Sequence, residues 1–114
     1  MIKELQAAET EASSANTSQI VYLVLSQAEG EYNSGCDVLG TYSNVKKANR
    51  KIMESFDTEY SMVMEGGKFV KGCDNSFYGD DAGAWCITKD GTLKLKAYCE
   101  GEEGKIYALK QKVQ

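Results

Sequence analysis

The sequence predicts an α+β fold, a single antiparallel sheet of about five to six strands with one main helix packed on one face. The apolar run Ile20 to Leu25 is typical of an inner strand. The apolar stripe in residues 44–56 has the period of an amphipathic helix, and the alternation across residues 85–99 is typical of a hairpin. A chain of 114 residues is long enough to bury a core of its own.

Residues 1–19 are predicted to form a flexible N-terminal tail, and residues 20–114 a single α+β domain. The first segment is rich in Ala, Ser, Thr, Glu and Gln, so few large apolar groups would offset the entropy of ordering it. Apolar residues at positions 2, 5, 8 and 12 nevertheless fall at helical spacing. Docking of part of this segment as a helix is therefore the alternative.

Two strands and a loop are expected before the main helix. The unbroken apolar run Ile20 to Leu25 predicts a strand in the middle of the sheet, covered on both faces. Glycine, asparagine and serine from Ala28 to Cys36 indicate a long exposed loop. The next strand is Asp37 to Tyr42, in which Gly40 indicates a bulge or a close backbone approach.

The main helix should begin at Asn44, because the hydroxyl of Ser43 can cap the first turn. Its apolar residues recur at three- and four-residue steps, and its cations share the opposite side. The apolar stripe is Val45, Ala48, Ile52 and Phe56. The basic helix face consists of Lys46, Lys47, Arg50 and Lys51.

Two hairpins follow the helix. Residues 60–65 are predicted as a strand, Gly66-Gly67 as a turn and residues 68–71 as the second arm. An irregular loop is expected over residues 72–83 because no period survives there.

The second hairpin has two alternative turns. A three-residue loop, Lys89 to Gly91, with Gly91 in the left-handed conformation sets Ile87 opposite Leu93. A two-residue turn would set Ile87 opposite Lys94, so the three-residue loop is preferred because it pairs apolar side chains. One face then carries Trp85, Ile87, Leu93, Leu95, Ala97 and Cys99. The other face carries Lys94, Lys96 and Tyr98.

The last strand is predicted over residues 106–113. Its Lys110 and Lys112 are typical of an exposed sheet edge, where a charged side chain discourages pairing with another chain. We therefore expect this strand at the border of the sheet.

Residues 20–56 resemble small uncharacterised α+β proteins of microbes and their viruses. Those proteins show a strand such as VYVV, then VIGVFSS and a helix with an early KA pair. The residues that carry the resemblance are Val21, Tyr22, Val24, Val38, Gly40, Tyr42, Ser43, Lys47 and Ala48. The resemblance implies an α+β fold and brings no catalytic residue with it.

Charge and composition exclude several classes of function. The net charge of −4 at pH 7 argues against a protein that coats nucleic acid through its overall field. The chain has no histidine, which removes the usual general base near neutral pH and the commonest zinc ligand. We therefore predict no catalytic residue, no cofactor and no metal, and the protein is not expected to be an enzyme.

The four cysteines are widely spaced. Structural zinc sites usually take close Cys-x-x-Cys pairs, which this chain lacks. Cys36 and Cys73 fall in predicted loops and are the candidates for a disulfide or a reactive thiol. Residues 1–19 contain no apolar signal core, which favours the cytoplasm and reduced thiols, whereas removal of a leader peptide would indicate a secreted protein.

These features predict a small, acidic, non-enzymatic protein-interaction module whose partner is another protein or a second copy in a homodimer. Candidate interaction residues are Lys46, Lys47, Arg50, Lys51, Lys94, Lys96, Lys110 and Lys112. One alternative is a secreted, disulfide-stapled effector or toxin-like protein. The other is a phosphate or nucleic-acid binder that uses the basic helix face. No segment is long and apolar enough to predict a membrane span.

Overall fold

The computed structural model describes residues 1–15, 20–29, 35–61, 63, 69–72, 82–99 and 102–112. The elements in chain order are α1 (Ile2–Ala15), β1 (Ile20–Glu29), β2 (Gly35–Tyr42), α2 (Val45–Glu59), β3 (Phe69–Lys71), β4 (Ala82–Ile87), β5 (Leu93–Cys99) and β6 (Glu102–Lys112). The strands form one six-stranded sheet in the order β2-β1-β6-β5-β4-β3. The predicted α+β class is confirmed.

Two features of the predicted architecture are wrong. The sheet is mixed rather than antiparallel, because β3 runs parallel to β4 and pairs Phe69 with Gly83. The described residues also include two helices, α1 and α2, rather than one main helix. Residues 2–15, expected in a tail, form α1, and Leu5 is only 2% exposed in the core. Burial of this one large side chain supplies the packing that the composition of the segment did not indicate.

The predicted inner position of β1 is confirmed, but the predicted edge position of β6 is wrong. β1 pairs with β2 on one side and with β6 on the other. β6 lies between β1 and β5, and its ladder with β1 runs from Ile20 opposite Lys112 to Glu29 opposite Glu103. Lys112 is at the end of this ladder, where its ammonium group stays exposed without the strand being an edge. The outer strands of the described sheet are β2 and β3.

β2 contains the irregularity predicted at Gly40. Val24 pairs with Gly40 and Leu25 pairs with Val38, so Leu39 is the extra residue of a β-bulge. Leu39 packs against the hydrophobic core. A Cβ atom on Gly40 would lie 2.8 Å from the hydroxyl oxygen of Tyr42. The predicted bulge is therefore confirmed next to Gly40, while the close approach to Gly40 is made by the side chain of Tyr42 and not by backbone.

α2 begins one residue later than predicted. Asn44, rather than Ser43, is the N-cap, and its Oδ1 accepts from the backbone N–H groups of Lys46 at 2.8 Å and Lys47 at 3.3 Å. The predicted apolar stripe is buried as expected.

The first predicted hairpin is wrong in its first arm. Tyr60 ends α2, and Ser61 and Val63 are helical rather than extended. Phe56 belongs to the buried stripe of α2, and Tyr60 and Val63 contact the same hydrophobic core beyond the end of that helix. The second arm is present as β3, and the predicted turn Gly66-Gly67 lies outside the described residues.

The second hairpin has the predicted three-residue loop. Trp85 pairs with Leu95 and Ile87 with Leu93, and Gly91 has a φ of 80°, in the left-handed region. The backbone N–H of Thr88 donates to the carbonyl of Thr92 at 2.9 Å and closes the loop. The register therefore follows from facing apolar side chains and from the freedom of one glycine.

Side chains alternate between two faces of the sheet. One face, here called the helix face, packs against both helices and holds a single core that includes Leu5, Tyr22, Ile52, Phe56, Trp85, Leu95 and Ile106. The other, here called the second face, carries the intervening side chains. On it Leu25 is buried, while Val21 and Leu23 are half-buried, so the prediction that this strand is covered on both faces holds only in part.

Gly83 tests the packing of the helix face. A Cβ at this position would lie 2.5 Å from Cγ1 of Val63 and 2.6 Å from the ring of Phe69. We expect Gly83→Ala to lower the free energy of unfolding by about 1–3 kcal/mol through overpacking, measured by urea unfolding. Gly35→Ala is the control, because a Cβ there meets nothing within 4 Å, and its effect should stay below about 0.5 kcal/mol. Equal losses in the two variants would contradict this packing.

Candidate functional site

A buried asparagine joins both helices to the second hairpin. Asn49 of α2 is fully buried, and its Nδ2 donates to Oε2 of Glu9 at 2.8 Å and to the carbonyl of Gly91 at 3.0 Å. Its Oδ1 accepts from the backbone N–H of Leu93 at 2.8 Å. Glu9, on α1, is only 6% exposed. Asn49 therefore fixes α1 against α2 and fixes α2 against the hairpin loop.

A groove of about 460 Å³ lies between α1 and α2. Its lining residues are Ile2, Leu5, Gln6, Glu9, Thr10, Lys46, Arg50 and Met53. Leu5 is buried beneath it, while Met53 is half-buried and Ile2 is 48% exposed, so Met53 and Ile2 give it accessible apolar surface. Lys46 and Arg50 are exposed and bring two positive charges to its α2 side.

The predicted basic helix face is divided by this groove. Lys46 and Arg50 line the groove, whereas Lys47 and Lys51 of the same helix do not. The ion pairs of the described residues involve Lys71, Lys96 and Lys110. None of the four cations of the basic helix face takes part in those pairs.

The lysines of the sheet do not join the basic helix face in one surface. Lys94 and Lys96 lie on the second face, because they alternate with the core residues of β5. Lys110 and Lys112 lie on the helix face, because they pair with Tyr22 and Ile20, which belong to that face.

Three of these lysines have neighbours. The ammonium of Lys96 lies 2.7 Å from Oε1 of Glu103, and Nζ of Lys110 lies 3.9 Å from Oδ1 of Asp90. Nζ of Lys94 lies 6.0 Å from the centre of the Tyr107 ring. The eight predicted interaction residues thus form several separate groups.

Cys36 does not lie in a loop as predicted. It belongs to β2, where it is exposed and pairs with Gln27 of β1. Its strand continues to residue 35 because the ladder with β1 extends as far as Ala28. Cys73 lies outside the described residues, so a bridge between Cys36 and Cys73 stays a prediction.

Tyr107 lies beside Cys36 on the second face. Its hydroxyl donates to Oε1 of Gln27 at 3.2 Å. Burial raises the pKa of Tyr107, and the nearby Cys36 adds to the rise. The same cause, burial, raises the pKa of Tyr22, with a smaller effect of the Asp90 charge.

The two outer strands of the described sheet differ strongly. Among the described strands, β2 has eight residues and pairs only with β1, and Val38 on it is 61% exposed. β3 has only three residues. The edge position of β2 was not predicted from the sequence, although the small number of large apolar residues in GCDVLGTY was a signal of it. The groove could not be foreseen, because it exists only where α1 docks on α2.

Metal ligands and membrane spans were also sought in the described residues. No group of three or more Cys, Asp or Glu side chains there is arranged to hold a metal ion. No helix among them combines the length and the apolar character that crossing a membrane requires.

Comparison of the chain with protein-family models, with curated proteins and with solved structures gave no significant match. The resemblance of residues 20–56 to small microbial and viral proteins therefore stays a prediction.

The hydrogen bonds of Asn49 should contribute strongly to stability. Asn49→Ala leaves the Glu9 carboxylate and the Leu93 N–H buried without this partner. We expect a loss of about 2–4 kcal/mol in the free energy of unfolding, measured by urea unfolding. The control is Asn44→Ala, which removes only the N-cap of α2 and should cost about 1 kcal/mol. Equal losses would show that Asn49 is not central to the fold.

The tyrosine pKa shifts predict an alkaline loss of stability. A phenol whose pKa is raised by folding stabilises the protein fully below its unfolded pKa of about 10, and this contribution falls as pH rises through the folded pKa. We therefore expect the free energy of unfolding to decrease above about pH 10, with phenolate absorbance appearing late for Tyr22 and Tyr107. Tyr107→Phe should remove one late-titrating group, and an unchanged titration curve would contradict the assignment.

Proposed function

We propose that the protein is a small non-enzymatic interaction module that forms a homodimer through β2. The observation that supports this most directly is the exposure of β2 at the border of the sheet. An outer strand presents unpaired N–H and C=O groups, and pairing with an identical strand satisfies them. A second copy is the simplest partner, because an antiparallel pair of β2 strands obeys two-fold symmetry.

β2 has little of the protection that edge strands usually carry. Asp37 is its one charged residue, and it contains no lysine and no proline. Its bulge at Leu39 leaves Gly35 to Val38 as a regular ladder segment available on the outer side. By comparison, β3 is protected by its length of three residues and by the charge of Lys71.

Apolar side chains near β2 add to the surface that a second copy would cover. Val38 lies on the second face opposite Leu25, and Leu109 is exposed on β6, opposite Leu23. Burial of such side chains contributes about 25 cal/mol for each Å² removed from water. Backbone pairing and this apolar contact would therefore act together.

The alternative of a secreted, disulfide-stapled protein has weaker support. It was based on a bridge between loop cysteines, and Cys36 lies instead on an exposed strand. The exposed thiol of Cys36 lies beside the proposed interface and would be covered in the dimer. Slower alkylation of this thiol at higher protein concentration would therefore be an independent measure of dimer formation.

The dimer is tested by placing a charge on β2. Val38→Lys should convert the dimer to a monomer, because each copy would bring an ammonium group to the paired edge. Light scattering after size-exclusion chromatography and native mass spectrometry measure the mass. Val70→Lys is the matched control, since Val70 is 49% exposed on the other outer strand, and this variant should remain dimeric. A monomeric native protein, or dissociation by Val70→Lys alone, would refute the proposal.

A further inference from the structure

We propose that the groove between α1 and α2 binds an amphiphilic anion, a ligand with an alkyl chain and a carboxylate or phosphate head. The alkyl chain would lie against Ile2 and Met53, and the head would contact Lys46 and Arg50. This site is distinct from the β2 edge and does not depend on dimer formation.

The size and the base of the groove suit a small ligand. Its volume of about 460 Å³ lies within the range of about 300–1,000 Å³ that small-molecule pockets occupy. Met53, which is half-buried, and Ile2, which is 48% exposed at the start of α1, supply apolar contact above the buried Leu5. Removing the apolar surface of Ile2 from water is favourable, and an alkyl chain bound in the groove would cover that surface.

The charges at the groove favour an anionic head. Lys46 and Arg50 are four residues apart on α2, so they lie one helical turn from each other on the same side. Both are exposed, and neither belongs to an ion pair of the described residues. A carboxylate or phosphate can accept from both, and the guanidinium of Arg50 can bind it in a bidentate manner.

Glu9 also lines the groove, but its negative charge lies beneath the surface. Its carboxylate is nearly buried and accepts a hydrogen bond from Asn49. The exposed charges contributed by the lining residues are therefore the two cations on α2. The accessible apolar side chains of Ile2 and Met53, next to two exposed cations, are complementary to an amphiphile whose two ends differ in the same way.

A polyanion fits the groove less well. None of the described residues that line it is aromatic, so nucleic-acid bases would find no stacking surface on those residues. The net charge of −4 would also repel a long polyanion or an anionic bilayer from the rest of the protein. A free amphiphile brings one head group and meets only the local field of Lys46 and Arg50.

The test uses decyl phosphate and decanoate as probes, below their micelle concentrations, in a nuclear magnetic resonance titration of the labelled full chain. We expect saturable shifts of the methyl groups of Ile2, Leu5 and Met53, and no such shifts with decyltrimethylammonium. The double variant K46E/R50E should bind about tenfold more weakly or worse. The matched control K47E/K51E has the same change of net charge on the same helix but lies off the groove, and should bind within about twofold of the native protein.

Four results would overturn the proposal. They are equal weakening in the two double variants, equal binding of the cationic probe, shifts confined to residues outside the groove, and absence of saturable shifts up to the micelle concentration. Flotation with anionic phospholipid vesicles distinguishes a membrane surface from a free ligand as the source of the anionic head group. Binding to vesicles without binding of the free probes would assign Lys46 and Arg50 to a membrane surface and would also refute the ligand site. The unfolding curves of both double variants confirm that each is folded.

Discussion

The fold depends on one buried amide. Asn49 supplies two donors and an acceptor, and the three groups that it meets come from α1, from the hairpin loop and from the start of β5. A buried polar group is costly unless it is fully hydrogen-bonded, so this arrangement strongly favours a single placement of α1. An aspartate at position 49 would have the same shape but no N–H donor. Its carboxylate would face the Glu9 carboxylate and the carbonyl of Gly91, both of which need a donor. An apolar residue would satisfy none of the three.

The features that the sequence predicted correctly depend on neighbours in the chain. The register of the β4–β5 hairpin follows from Gly91 and from the facing pair Ile87 and Leu93, all within seven residues. The same holds for the stripe of α2 and for the bulge next to Gly40. In each case the side chains that decide the structure are close in sequence, so their pattern can be read before the tertiary fold is known.

The features that were not predicted from the sequence depend on partners that are distant in the chain. α1 is held by Leu5 in the core and by the contact of Glu9 with Asn49, 40 residues away, and neither is visible in a segment with few apolar residues. β6 becomes an inner strand because it pairs with β1, although its lysines are typical of an edge. The basic helix face was predicted from the sequence. Which of its cations line the groove could not be predicted, because that depends on where α1 packs.

The two proposed surfaces follow from the placement of the helices. α2 contacts β1, β2, β5 and β6, while α1 contacts α2 and β4, toward the opposite border of the sheet from β2. The groove therefore opens on the helix side, and the pairing edge of β2 faces outward in the plane of the sheet. A second copy added along β2 would extend the sheet without crossing the groove, so the proposed dimer would leave the proposed ligand site open in each copy. Because Asn49 fixes α1 and α1 forms one wall of the groove, disruption of this amide should remove the groove before it affects the outer side of β2.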